Sequence, residues 1–301
     1  MAPPDPPLAA DLDRPGPGAS ATSGRAMLMT VLGTFVLPGG GSAWTASLLA
    51  ALELVGIETR SARQVVNRTA AAGWLTSEKH GRKVRWSLSS RTRPLLAAGA
   101  ERIYRFGSTT TEWDGRWVLL QASVPETQRD LRYRLKVRLN WAGFGPLGPG
   151  LWIAPWVAQE AEAIAVIDAL GEPIEARTFI AQHGHLGEAA DVAAQAWDLA
   201  ALAGEYHRFL DRWGAPDASS PEESDEESDA DVEPDGSAAR ELLELVHDWR
   251  RFPAIDPALP AVLLPDDWPG AAAADRFSVR RRQLLGPAEA WWAVVERRSG
   301  G

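Results

Sequence analysis

TRSARQVVNRTAAAGWLTSEKHGRKVRWSL, residues 59–88, places a helix and a hairpin in immediate succession. Thr59 is a favourable N-cap. Behind it Arg60, Arg63, Gln64 and Asn67 recur at i, i+3, i+4 and i+7 on one helical face, while Ala62, Val65, Val66 and Thr69 take the other. One face packs and the other reaches outward. The outward side chains are of types that fork onto base edges, Arg toward guanine and Asn or Gln toward adenine, with Arg68 beside them as a phosphate partner. Gly73 ends this helix, and residues 74–79 and 83–88 predict two strands around His80-Gly81-Arg82. Lys79, Arg82, Lys83 and Arg85 crowd that hairpin, whose one acid is Glu78, and such a self-repelling cluster suits a polyanionic partner. The stretch therefore predicts a winged helix-turn-helix that meets double-stranded DNA through these nine polar residues.

Toward the N-terminus, residues 27–37 form a predicted helix with Leu28, Val31, Leu32 and Phe35 on one side, stopped by Pro38-Gly39-Gly40-Gly41. Ser42 or Thr45 then caps a second helix bearing Leu48, Leu49, Leu52 and Val55, before Gly56 turns the chain. Residues 1–24, rich in Pro, Gly and Ala, show no hydrophobic period and are expected to be disordered. After the hairpin, Ser90 opens a helix to about Phe106, with Leu95, Leu96 and Ile103 inward. Residues 25–106 thus read as one DNA-binding domain with a linker helix.

The charge is unevenly distributed. The chain carries a formal −9, yet ten acids and no base lie between Asp217 and Asp235. Over residues 25–106 twelve Arg and Lys face four Glu, a local +8. The acidic pI thus masks a basic reading domain, and residues 215–237 read as an acidic, disordered insertion. The 301 residues suffice for two or three domains. No apolar run approaches about 18 residues, and the N-terminus lacks the basic-then-apolar plan of a signal peptide, so a cytoplasmic protein without a membrane partner is expected. With no cysteine, a disulfide frame, a thiolate metal site and a thiol nucleophile are excluded.

Beyond the polar run at 107–111 the pattern changes. Residues 117–123 read as a strand, 126–140 as an amphipathic helix, 150–156 as a strand, 160–170 as a helix and 177–182 as a strand, with a further short strand in the glycine-rich turn before Leu151. That order predicts a ferredoxin-like βαββαβ domain over residues 112–184. Residues 186–292 predict a helical C-terminal domain interrupted by the acidic insertion. Trp197, Leu202, Tyr206 and Leu210 fall at core spacing on a helix over 190–213, and Leu242, Leu245, Val246 and Trp249 recur after the insertion. The fold class is α+β.

Catalytic chemistry finds little support. His183-Gly184-His185 with His207 lacks metal-ligand spacing, and the prolines in Gly145-Pro146-Leu147-Gly148-Pro149-Gly150 remove the N–H groups that a phosphate nest needs. Neither a Gly-x-Ser-x-Gly elbow nor a P-loop is present, so no catalytic residue, metal or cofactor is expected.

Residues 60–68 with Gly73-Trp74-Leu75, Trp113-Asp114-Gly115-Arg116-Trp117, and Gly143-Phe144-Gly145-Pro146-Leu147 with Gly150-Leu151-Trp152-Ile153 form one set of motifs. They continue through Trp249-Arg250-Arg251 and Asp256-Pro257-Ala258-Leu259-Pro260 to Leu264-Pro265-Asp266-Asp267-Trp268-Pro269-Gly270, the most specific piece. In these motifs, over most of residues 27–275, the chain resembles the PaaX family of bacterial transcriptional repressors, which control phenylacetate catabolism operons. The resemblance implies a helical C-terminal part beside the winged-helix reader. It implies a central domain resembling the small CRISPR adaptation nuclease. It also implies a homodimer released from its operator by an aryl-CoA thioester such as phenylacetyl-CoA. The nuclease needs an Asp at the end of its first strand, where this chain has Ala122, Ser123 and Val124, so nuclease activity is not expected. For an acyl-CoA, cations must meet phosphates and an apolar pocket the acyl group. Arg129, Arg132 and Lys136 on the first helix of the middle domain are the candidates for the former, and Trp141, Phe144 and Trp152 for the latter. Two other functions fit the same residues: an acyl-CoA-binding enzyme or module using the winged helix for protein contacts, and a DNA-binding factor without effector.

Overall fold

A computed structural model describes residues 24–107, 112–171, 174–214 and 235–301. The expected disordered tail, and the acidic insertion up to residue 234, lie outside the described residues. The chain is mixed α and β with two sheets and falls into two compact units. One comprises Arg105–Arg208 and Phe252–Ala274. The other comprises Phe209–Arg251 and Asp275–Gly301 together with the chain up to Tyr104. The residues expected as one C-terminal helical domain are thus shared between both.

The unit containing the N-terminal residues begins with α1 (Gly24–Val31), which widens into a π turn over Leu32–Val36. β1 (Ser42–Trp44), α2 (Thr45–Leu54) and α3 (Thr59–Ala71) follow, then β2 (Leu75–His80), β3 (Lys83–Leu88) and α4 (Thr92–Arg105). Met27, Leu28 and Val31 of α1 and Leu32 and Phe35 of its π turn meet Leu48 and Leu52 of α2 and Ala62, Val65 and Val66 of α3 in the core. Two local expectations differ. Ser42 is not a helix cap but starts a strand pairing antiparallel with β3, so the sheet has three strands in the order β1-β3-β2. Thr59 is the first helical residue after the N-cap Glu58, and its hydroxyl donates to the Glu53 carboxylate instead of accepting a first-turn N–H as a cap would.

Further along, α9 (Ser237–Trp249) packs on α1 and α2. Its inward stripe, Leu242, Leu245, Val246 and Trp249, is fully buried. The Trp249 ring stacks on Phe277 at 4.8 Å and its Nε1–H donates to the Ile103 carbonyl at 3.1 Å. Trp249 is a packing residue, as its spacing predicts.

In the other unit, β4 (Arg116–Ser123), α5 (Arg129–Trp141), β5 (Gly145–Gly148), β6 (Leu151–Ala154), α6 (Gln159–Leu170) and β7 (Glu175–Gln182) form a four-stranded antiparallel sheet ordered β5-β6-β4-β7. Each βαβ connection is split by a strand of the other, which is the topology expected from the element order. Val118, Leu120 and Ala122 of β4 face Leu131, Leu135 and Leu139 of α5 and Ala163, Val166 and Leu170 of α6. The alternate residues, Trp117 and Leu119, pack on the opposite face with Ala193 and Ala196 of α7 (Ala189–Ala196) and with Leu259 and Leu263. The single helix expected over 190–213 is broken: α7 ends, Trp197 is extended, and α8 (Leu199–Arg212) starts afresh with the Asp198 carboxylate accepting the Ala201 N–H at 2.9 Å. A short helix α10 (Phe252–Ile255) and the long α11 (Gly270–Gly300) complete the chain. No helix among the described residues is long and apolar enough to cross a membrane.

Candidate nucleic-acid interface

Helix α3 is built to show one face. Ala62, Val65, Val66 and Thr69 are buried, and Arg60, Arg63, Gln64, Asn67 and Arg68 are exposed. From Arg60 to Asn67 the helix rises about 10 Å, within the roughly 12 Å width of a major groove. Arg68 is partly committed, its Nε–H reaching back to the Gln64 carbonyl at 3.3 Å. The turn ahead of α3 is set by Gly56 at φ 82° and the bonds Gly56 N–H to Glu53 O and Ile57 N–H to Leu52 O. Its far end closes in a Schellman arrangement: Gly73 takes φ 78° and the Trp74 N–H returns to the Thr69 carbonyl at 3.2 Å. That return sends the chain directly into β2.

The hairpin pairs Leu75 with Leu88 through to His80 with Lys83, leaving Gly81 and Arg82 as a two-residue turn. Lys79, Arg82 and Lys83 are exposed. Among the described residues none of these three, nor Arg60 or Arg63, has a carboxylate partner within salt-bridge distance; Glu78 stands 3.4 Å from His80 instead. Arg85 is different. It is half-buried, donates through Nε to the Ser42 hydroxyl at 2.9 Å, and its guanidinium lies over the Trp44 ring at 5.3 Å. Thr45 ties the same strand inward, donating to the Val84 carbonyl at 3.0 Å and accepting from Trp86 Nε1 at 2.9 Å. Eight of the nine residues read from the sequence are thus solvent-facing, on one helix and one hairpin, and the ninth is engaged within the sheet.

On α5 the exposed residues Arg129, Arg132, Tyr133, Lys136 and Asn140 fall on one face at i, i+3, i+4, i+7 and i+11. The aromatic candidates do not join them. Phe144 is 1% exposed and Trp152 8%, both within the core formed by α5, α6 and β4, while Trp141 is half-buried at the helix end. Among the described residues no group of three His, Asp or Glu side chains is arranged to hold a metal.

A part-buried pair that the sequence did not single out sits in the sheet-containing unit. The Tyr206 hydroxyl donates to Asp256, whose other oxygen accepts the Ala258 N–H at 2.7 Å. Tyr206 stacks on Phe252 at 4.3 Å. Burial pushes the Asp256 carboxyl above the usual carboxylate range despite these donors, and burial together with the Asp256 charge raises the phenol too. The pair ties α8 to the segment after α10, with Tyr206 buried and Asp256 partly exposed.

Three family models match in order along the chain: "PaaX-like protein" over residues 23–92, "PaaX protein central Cas2-like domain" over 110–193 and "PaaX-like protein C-terminal domain" over 197–294. The Transcriptional repressor PaaX of Escherichia coli (strain K12) is 29% identical over 258 residues, covering 85% of this chain and 78% of that protein. Among solved structures, the uncharacterized protein Rv0674 from Mycobacterium tuberculosis superposes with a TM-score of 0.57 over 89% of this chain and 98% of its own, at 23% identity, a likeness of fold. Matched from its first described helix almost to its end, the chain belongs to the PaaX family.

Proposed function

We propose that this chain is a cytoplasmic, homodimeric transcriptional repressor that reads an operator with a winged helix-turn-helix over residues 25–106. The observation that carries this is the shared exposure of Arg60, Arg63, Gln64 and Asn67 on α3 and of Lys79, Arg82 and Lys83 on the adjoining hairpin. Base-reading and phosphate-holding side chains are what a recognition helix and a wing supply, and the third strand β1 gives the hairpin a base. The name of the Escherichia coli relative supports the repressor role. A dimer follows because one helix spans too few base pairs for operator selectivity, and two half-sites about one helical turn apart double the readout.

The ligand that releases DNA is an aryl-CoA thioester, phenylacetyl-CoA in the first instance, and the regulated genes serve aromatic-acid breakdown. Arg129, Arg132 and Lys136 offer the nucleotide phosphates a cationic stripe without an acid in it, and Trp141, half-buried at the end of the same helix, is the one of the three aromatic candidates that lies outside the core. Phe144 and Trp152 take part only if their core opens. An effector that prefers the DNA-free arrangement 100-fold supplies about 2.7 kcal/mol, enough to empty a moderately occupied operator.

The test is a mobility shift with duplexes drawn from the gene's own neighbourhood at about 50 mM salt, where phosphate contacts are strongest. One fragment shifts, and phenylacetyl-CoA reverses the shift; failure of every fragment ends the repressor reading. Calorimetric titration of phenylacetyl-CoA into the Arg129→Ala, Arg132→Ala double variant gives weaker binding than wild type, and equal affinity removes the α5 assignment.

A further inference from the structure

We infer that Trp44 is the positioning residue of the basic hairpin, and that the last turns of the C-terminal helix α11 hold it in place. The inference rests on the DNA-reading role proposed above, but its geometry does not. Trp44 is the N-cap of α2, with φ −75° and ψ 152° and no side-chain cap of its own. Its backbone N–H donates instead to Glu296 Oε1 at 3.0 Å, 252 residues away in sequence. In a capping box the glutamate three residues into the helix makes that bond, and the carboxylate also sits favourably at the positive end of the helix. Here the function has passed to another helix.

The indole is covered from the same source. A Cβ added to Gly300 would come within 2.7 Å of Trp44 Nε1, so the backbone at the end of α11 lies directly on the ring. The same ring meets His80 edge-on at 5.3 Å, and the Arg85 guanidinium lies 5.3 Å from its centroid. His80 is paired with Lys83 beside the two-residue turn, and Arg85 is paired with Trp44 itself across β1 and β3. One side chain therefore touches the helix end, the strand base and the residue next to the hairpin tip. A two-stranded hairpin is marginal alone in water, so the contacts at its base decide how firmly Lys79, Arg82 and Lys83 are held. When α11 withdraws from Trp44, α2 loses its cap partner and the hairpin its support in one step.

The test uses the full chain. Amide hydrogen exchange without DNA is compared for wild type, Glu296→Ala, Glu296→Gln and His80→Ala, alongside the salt dependence of binding to a non-specific 30-base-pair duplex between 50 and 200 mM. The hairpin amides of residues 78–84 exchange at least tenfold faster in Glu296→Ala and His80→Ala, while those of β4–β7 are unmoved. The slope of log affinity against log salt falls by two or more, as phosphate contacts are lost at about 0.9 each. Glu296→Gln restores both, because its amide oxygen accepts the same N–H. Unchanged hairpin exchange in Glu296→Ala and His80→Ala overturns the inference, as does a uniform acceleration across the whole chain, which marks mere loss of packing. Should Glu296→Ala fail to fold, His80→Ala, on the exposed hairpin, decides alone. If exchange responds but Lys79→Ala, Arg82→Ala, Lys83→Ala together leave the salt slope at its wild-type value, Trp44 positions the hairpin and the hairpin's DNA role falls instead.

Discussion

Lys83 and Arg85 stand two apart on one strand, yet one is exposed and the other lies over Trp44 with its Nε–H on Ser42. Residue type alone does not separate them; the pairing of β1 with β3 does. Lys83→Ala is therefore expected to lower duplex affinity uniformly across sequences and reduce the salt slope by about one, whereas Asn67→Ala relaxes selectivity at one base position by about 1–3 kcal/mol, both read from a titration on operator and scrambled duplexes. His247 supplies a second contrast. Burial first, then the charges of Arg250, Arg212 and Arg251, holds its pKa down to about 4, and its Nδ1 lies 3.3 Å from the Thr30 hydroxyl. Between pH 6.5 and about 4 the unfolded chain takes up a proton that the folded chain refuses. Stability is therefore complete above pH 6.5 and falls as the pH drops toward 4, by something on the order of 3 kcal/mol. Asp256 works the other way, since its raised carboxyl favours the fold at low pH and that contribution is lost as pH rises past the ordinary aspartate value. Urea unfolding of His247→Asn between pH 7 and pH 4.5 should show a flatter profile than wild type; an equal decline would place the pH sensitivity elsewhere.

At the scale of elements, periodicity was legible wherever it ran long enough. The two faces of α3, the hairpin, and the split order of β4–β7 follow from periods of 3.6 and 2 in the sequence. What stayed hidden was short or mispunctuated. β1 has three residues, too few for a pattern. The alanine-rich run into α8 conceals a break that Asp198 makes by capping. A Gly-Pro pair ordinarily ends a helix, yet the 31-residue α11 runs through Gly286-Pro287 with both on its exposed side, while Ala288, Trp291 and Trp292 are buried. Phe144 and Trp152 were plausible pocket residues on chemistry alone, and only packing shows them to be core. The contacts of α9 and α11 also explain why the reading unit extends beyond residue 104. Trp249, wholly buried between Ile103 and Phe277, is expected to cost about 3–5 kcal/mol on change to alanine, and thermal unfolding should show the loss in the α3 and hairpin amides as well as in α9 itself.

Over the whole molecule, the proposed DNA-reading role depends on charge before any contact forms. The −9 total combines a basic region of +8 over residues 25–106 with ten acids between Asp217 and Asp235. A duplex approaching from beyond the Debye length of about 8 Å at physiological salt feels little of either, but at 50 mM the acids oppose the attraction of α3 and the hairpin. Changing the nine acids from Asp217 to Glu233 to serine brings the formal charge to zero and leaves Asp235, whose carboxylate accepts the Ser237 N–H at 2.8 Å where α9 starts. That variant should bind non-specific duplex several-fold tighter at about 50 mM salt, mainly through faster association, and converge on wild type near 300 mM as screening removes the difference. Stopped-flow association rates across that salt range check it. Equal rates at low salt would mean that the acidic run stays remote from the approaching duplex, and the field at the interface is then set by the basic unit alone.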